Sequence, residues 1–228
     1  MNQTSKWKSE SERYVKKFIS DRNIYYKKYF DLFIKTKILN VLDVGCGNGN
    51  TINYLISKNK NLKKAIGVEP SEKAVKLLNR KYIQKKIKFI AAFNHNLPLK
   101  DNEFDLVISW GVLSWIDRNN YLQSLGELCR VTKKYLLIFD FFSTYNFYTD
   151  YKHKKNFKTF RVDSSKIILE TGKFKVVKEE LILGDHHGGK KININKLKKN
   201  INLNKHSRKI TIFKKLNNDR FNFKKIIL

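Results

Sequence analysis

Asp43, Gly45, Gly47 and Gly49 stand in the run Val41-Leu42-Asp43-Val44-Gly45-Cys46-Gly47-Asn48-Gly49-Asn50, where an apolar stretch meets an acid and three alternating glycines. Alternating glycines let a backbone turn tightly and approach a ligand with no Cβ in the way, and a helix that follows offers unpaired N–H groups. That combination suits a loop that holds a nucleoside cofactor. Asp43, just before the turn, can organise the loop or meet a cationic or hydrogen-bond-donating part of the ligand. The dinucleotide fingerprint is Gly-x-Gly-x-x-Gly; here the third glycine comes one residue early and an acid precedes the first. Glu69 ends a second short apolar run, 20 residues after Gly49. A parallel strand would deliver it beside the first, where a carboxylate can accept both ribose hydroxyls.

This pattern resembles the class I S-adenosylmethionine-dependent methyltransferases. The resemblance continues through Ile66-Gly67-Val68-Glu69-Pro70-Ser71 and through Asp101 to Leu113. It implies that Gly45, Cys46, Gly47, Asn48 and Gly49 embrace the amino-acid part of S-adenosyl-L-methionine and its methionine-to-ribose junction. It also implies that Glu69, followed by Pro70, binds the ribose. Ser109, Trp110 and Val112 then border the cofactor, with Trp110 facing the methyl group or the adenine. Core packing is the alternative for Trp110 and for Trp115, since large aromatics dominate buried area in any domain. One position departs from the family. Many relatives place an acid for the adenine amine before a Leu-Pro pair, whereas Ala92-Phe93-Asn94-His95-Asn96 precedes Leu97-Pro98 here. Asn94 can offer an amide oxygen to the adenine, or Phe93 can stack on it.

The elements that must position these residues are legible as an alternation. The pattern predicts strands at 38–44, 65–69, 87–92, 104–109 and 134–140, with helices at 49–59, 71–80 and 119–130 between them. Strand and helix in turn imply a parallel sheet wrapped by helices. A helix near Ser164–Thr171, a strand at 173–183 and a last strand at 208–216 follow. The expected fold is α/β: a three-layer, Rossmann-like, seven-stranded, mostly parallel sheet with an antiparallel last strand and helices on both faces. One domain spans 1–228, with an N-terminal helical cap (1–37), a cofactor-binding core (38–140), a substrate-side loop (141–162) and a C-terminal helix with closing strands (163–228). The cap reads as two short helices. Trp7, Tyr14 or Tyr25 can touch the cofactor, or pack on the sheet.

The segment from Asp140 to Phe160 is long and aromatic and follows the fifth strand at its ligand-facing end, so it either lines a site or packs on the surface. Tyr145, Tyr148, Tyr151 and Lys154 are candidates for binding a polar, anionic small molecule, together with His186 and His187 between the last two strands. His153 is the candidate general base, its solvated alternative noted. Asp185 with the two histidines makes a poor metal site, because three adjacent side chains do not readily face one ion; no metal is expected.

Composition narrows the classes. The chain has 228 residues, 41% of them hydrophobic, enough for one core of ordinary size. Its 48 basic residues against 20 acidic ones leave a net charge of +28, which attracts phosphate backbones. Only 8 of the 48 are arginine, however, and the Lys excess arrives with Asn and Ile along the whole chain. Codon drift in a low-GC genome produces that combination, and the arginine preference of bidentate phosphate contacts is missing. Nucleic acid is therefore not favoured as a partner. No apolar run is long enough to span a bilayer, and Met1–Lys8 lacks a signal core. Two separated cysteines fit a reducing, cytoplasmic setting. The expected activity is methyl transfer to an oxygen or nitrogen of a small polar acceptor such as a sugar or related metabolite. RNA or protein methylation is the alternative that the basic surface favours. Against it, Ser109-Trp110-Gly111-Val112 occupies the place of the Asn/Asp-Pro-Pro-aromatic tetrad of amino-group methylases.

Overall fold

The computed structural model describes residues 6–8, 10–11, 27–83, 86–150, 157–185, 188–198 and 200–216. Residues 6–8 and 10–11 are helical, and α1 follows at Lys27–Ile34. The core then alternates: β1 (Asn40–Val44), α2 (Asn50–Lys58), β2 (Lys64–Glu69), α3 (Glu72–Lys81), β3 (Ile87–Ala91), β4 (Phe104–Trp110), α4 (Arg118–Val131) and β5 (Thr132–Phe141). A single 3₁₀ turn at Leu113–Trp115 precedes α4. Beyond it lie β6 (Phe147–Asp150), β7 (Lys158–Arg161), α5 (Ser164–Glu170), β8 (Phe174–Asp185), β9 (Gly188–Lys191), α6 (Ile194–Lys198), α7 (Ile201–His206) and β10 (Ser207–Lys215).

The main sheet runs β3-β2-β1-β4-β5-β10-β8-β9. The first five strands are parallel and the last three join antiparallel. Neighbouring residues of each strand serve opposite layers, as the two-residue period of a strand requires. Val41, Ile108, Leu137 and Phe139 face α1, α2 and α3, meeting Phe30, Leu55 and Leu78. Leu42, Val107, Leu136 and Ile138 face α4 and α5, meeting Leu125, Leu128 and Ile168. Helix α3 shows why these segments coil. Ser71 Oγ accepts the Ala74 N–H at its start, Glu72 sits in the first turn and Arg80 and Lys81 in the last, and Val75 and Leu78 are buried.

Three expectations need correction. The main sheet has eight strands rather than seven, because Gly188–Lys191 pairs with β8 and places Gly189 opposite Gly184. The segment 141–162 is not an irregular loop. β6 and β7 pair as a separate antiparallel ribbon, with the hydroxyls of Thr149 and Thr159 2.8 Å apart and Tyr148 stacked on Phe160; its strands are too short for the alternation to stand out in sequence. Two helices before the last strand also escaped the pattern. Asn193 Oδ1 accepts the Asn195 N–H at α6, and Asn200 Oδ1 accepts the N–H groups of Asn202 and Leu203 at α7, so asparagines attributed to composition are helix caps.

The amino ends of three strands meet at Asp105, which is 2% exposed. Its Oδ2 accepts the N–H groups of Leu39 (2.9 Å) and Asn40 (3.3 Å), and Lys134 Nζ stands 3.1 Å from Oδ1. Burial opposes ionisation, but the Leu39 N–H and Lys134, with the Asn40 N–H, outweigh it and hold the carboxyl below its ordinary value. Its stabilisation is present above the unfolded aspartate pKa and is lost as pH falls through the folded one. Asp105→Asn is expected to lose about 1–3 kcal/mol in urea unfolding at pH 7, with the gap to the unmodified protein closing as the pH drops below about 4. An equal gap at both pH values would show that the charge at Asp105 contributes nothing.

Candidate cofactor site

Strand order reverses between β1 and β4, and in open α/β sheets a crevice opens there at the carboxyl ends of the strands. The loop after β1 fills its floor. The Gly45 and Cys46 N–H groups donate to the Val68 carbonyl at 2.8 and 3.0 Å, stitching the loop to β2, and the Gly49 N–H donates to Cys46 O at 2.9 Å. Gly45 and Gly49 have φ of 73° and 76°. A Cβ on Gly45 would lie 2.4 Å from Val112 Cγ2, and one on Gly49 2.9 Å from Phe89 Cζ. Left-handed backbone and lack of space together require glycine at both.

Two buried carboxylates support this loop, Asp43 at 2% and Glu69 at 7% exposed. Glu69 Oε2 accepts the Gly47 N–H at 3.0 Å, and Oε1 accepts the Ser11 hydroxyl at 2.6 Å. Burial raises the Glu69 carboxyl above its usual range, with the Ser11 and Gly47 donors pulling the other way. Asp43 is pushed up to about 7, first by burial and then by the charge of Glu69. The same surroundings hold the Cys46 thiol well above its ordinary value, so at neutral pH it packs rather than reacts.

The rim comes from β4 and the segment after β3. Ser109 is fully buried, and its hydroxyl has no hydrogen-bond partner among the described residues. Trp110 stacks on Phe139 (centroids 4.3 Å, 23°) and tilts against Phe30. Phe93, half-buried, stacks on His95. The Leu97-Pro98 stretch beside it is tethered to α4, where Glu127 accepts the Leu97 N–H and Arg130 donates to the carbonyls of Leu97 and Leu99.

Residues 41–135 match a family model described as a methyltransferase domain. A putative methyltransferase, 235L, of Invertebrate iridescent virus 6 is 33% identical over 76 residues, which is 33% of this chain and 27% of that protein. The match therefore spans about a quarter of the relative's length. Among solved structures, a methyltransferase from Methanosarcina mazei superposes with a TM-score of 0.61 at 18% identity, over 82% of this chain and 97% of that one. The magnesium protoporphyrin IX methyltransferase of Synechocystis PCC 6803 does so at 0.62 and 14% identity, over 95% and 98%. The chain has the class I S-adenosylmethionine-dependent methyltransferase fold.

Within this methyltransferase fold, the structure brings Asp43, the Gly45–Gly49 loop, Glu69 and Val112 together. Asn48 Oδ1 accepts the Asn50 N–H at the start of α2, and the Asn48 carbonyl accepts the Tyr82 hydroxyl. Pro70 and Asn94 are half-buried beside the site elements. Trp115 packs edge-on to Trp7, so Trp7 meets an aromatic wall. Tyr145 is half-exposed and donates to the Lys198 carbonyl at 3.2 Å, and Tyr148 is 42% exposed. Tyr14, Tyr25, Tyr151, His153, Lys154, His186 and His187 lie outside the described residues. Ser11 was missed. Serine is too common in polar N-terminal segments to signal a contact with an acid 58 positions away.

Asp43 has a consequence for stability. Between its unfolded value of 3.8 and its folded value of about 7, the folded protein holds a proton the unfolded chain has released. Stability therefore falls as pH rises through that window. Asp43→Asn is expected to raise stability by up to about 4 kcal/mol at pH 8 and to change it little at pH 4, measured by chemical unfolding. A gain of equal size at both would place the Asp43 pKa in the ordinary range.

Proposed function

We propose that this protein transfers a methyl group from S-adenosyl-L-methionine to an oxygen or nitrogen of a small polar acceptor. The observation that carries the proposal is the Gly47 N–H on Glu69: it ties the glycine loop to the acid that ends β2. The chain's residues fit the cofactor. Glu69 offers carboxylate oxygens for ribose hydroxyls, and Ser11 Oγ already sits on one of them as a hydroxyl donor. Ser109 has a buried hydroxyl with no partner among the described residues, and buried hydroxyls are normally satisfied. Asp43 ionises on meeting the cationic part of the cofactor. Phe93 and Asn94 flank the adenine.

When bound, the cofactor supplies an electrophilic methyl carbon on a sulfonium. In-line displacement at such a carbon depends chiefly on positioning the attacking atom. The elements proposed to do so are the 3₁₀ turn after Val112 and the β6–β7 ribbon, which carries Tyr148, together with Tyr145. His153 is the proposed base for an acceptor hydroxyl. A [4+2]-cyclase, SpnF, shares the fold at a TM-score of 0.64 and 12% identity, so the reading rests on the loop and its acids rather than on the fold.

Calorimetric titration with S-adenosylmethionine, S-adenosylhomocysteine and NAD tests the proposal. The first two are expected to bind and NAD to give no heat. Glu69→Ala loses about tenfold or more in affinity, whereas Ser11→Ala holds or tightens binding because one ribose-facing oxygen is freed. Affinity for S-adenosylmethionine rises from pH 6 to pH 8 with proton release, and Asp43→Asn removes the slope. Preference for NAD, or full affinity in Glu69→Ala, refutes the assignment.

A further inference from the structure

Both carboxylate oxygens of Glu69 are taken by donors of the chain itself. Oε2 accepts the Gly47 N–H at 3.0 Å, and Oε1 accepts the Ser11 hydroxyl at 2.6 Å. Glu69 is almost wholly buried and Ser11 fully so. Ribose hydroxyls need those same oxygens as acceptors and an open path to them. With Ser11 in place there is neither, because the serine hydroxyl stands where a ribose hydroxyl would donate.

The segment that carries Ser11 is held at a second place. Trp7 meets Trp115 edge-on with ring centroids 5.2 Å apart, and meets Phe157 at 5.5 Å. Lys6 Nζ lies 6.0 Å from the Phe157 ring centroid. Trp115 ends the 3₁₀ turn after Val112, and Phe157 stands just before β7. Residues 6–8 and 10–11 therefore reach from the acid that ends β2 to the two elements proposed to orient the acceptor. No described residue of this segment belongs to either hydrophobic cluster of the core, so the sheet and its helices keep their packing when the segment moves.

The second contact is also imperfect. Trp7 Nε1 is shut away from solvent with no acceptor among the described residues, although buried donors are normally satisfied. An element outside the core that leaves a donor unsatisfied belongs to the low-stability end of a molecule, from which moving parts are drawn. Glu69 itself lies at the end of a central strand and stays in place when Ser11 leaves it.

We propose that the N-terminal segment is an autoinhibitory strap: Ser11 occupies the ribose seat on Glu69, and the cofactor enters only after the segment, with Trp7, has swung away. This rests on the reading of Glu69 as the ribose acid and adds how that site is gated. A closed strap lowers the apparent affinity by the fraction of molecules that are open. Removing the Ser11 hydroxyl leaves Glu69 Oε1 unsatisfied in the closed form, whereas water reaches it in the open one, so the open fraction rises. The test is stopped-flow mixing with S-adenosylhomocysteine, read by tryptophan fluorescence, since Trp7 and Trp115 are two of the chain's three tryptophans. Association is expected to be at least about threefold faster in Ser11→Ala and in Trp7→Ala than in the unmodified protein. Ser11→Thr, which keeps the hydroxyl, is expected to associate at the unmodified rate. Calorimetric affinity is expected to tighten in Ser11→Ala, whereas a substitution that only loosened the fold would weaken it. Association no faster in Ser11→Ala, or weaker binding by that variant, overturns the strap. Should Ser11→Ala fail to fold by circular dichroism, Trp7→Ala decides on the same criterion, since it releases the other anchor and leaves Glu69 untouched. Failure of the unmodified protein to bind S-adenosylhomocysteine overturns the methyltransferase assignment instead.

Discussion

The bond from the Gly47 N–H to Glu69 is the interaction on which the site depends. It joins a loop that only glycine can trace to an acid that ends the neighbouring strand. Parallel pairing of β1 with β2 brings the two within reach, setting Val44 beside Val68. The backbone bonds from Gly45 and Cys46 to Val68 complete the tie. Shifting β2 by one residue would turn Glu69 to the other face and leave the loop without its acceptor. Register, glycine geometry and the acid are one constraint.

That arrangement keeps two carboxylates buried together, and the cost is visible in the raised Asp43 and Glu69 pKa values. Such costs gather where a ligand is meant to complete the electrostatics. Asp105, at the other end of the same strands, shows the contrast. It meets backbone N–H groups and a lysine, its pKa is lowered, and it works as an anchor. The difference is one of partners rather than depth, since all three acids are largely buried. Arg161 shows the opposite sign, a buried cation over the Phe141 ring whose pKa burial lowers to about 10.

The antiparallel half of the sheet shapes the opposite flank. β10 inserts between β5 and β8, so its first residues, including Arg208, rise beside the end of β5. Asn204 just before it is fully buried. It accepts from Ser143 Oγ and the Thr144 N–H and donates to the Leu197 carbonyl, fixing the exit of β5 to the short helices before the last strand. Among the described residues, no helix is long and apolar enough to cross a membrane.

The sequence by itself determined the parallel core and the cofactor loop, because both are written in short-range patterns. Apolar runs mark β1 to β5, glycine spacing marks the turn, and an acid ends the second strand. The tertiary structure alone decided which distant groups meet these. Ser11 reaches Glu69 across 58 positions, and Arg161 and Arg208 converge on Phe141 from two different sheets. It also decided that the aromatic segment after β5 pairs with itself and that β8 gains an eighth-strand neighbour. Such contacts depend on chain closure and on the register of strands far apart, and neither leaves a periodic trace in a sequence whose lysines and asparagines recur everywhere. Phe93, where the family places an acid, was legible as a departure, but only folding showed it stacked on His95 within a segment tied down by Arg130.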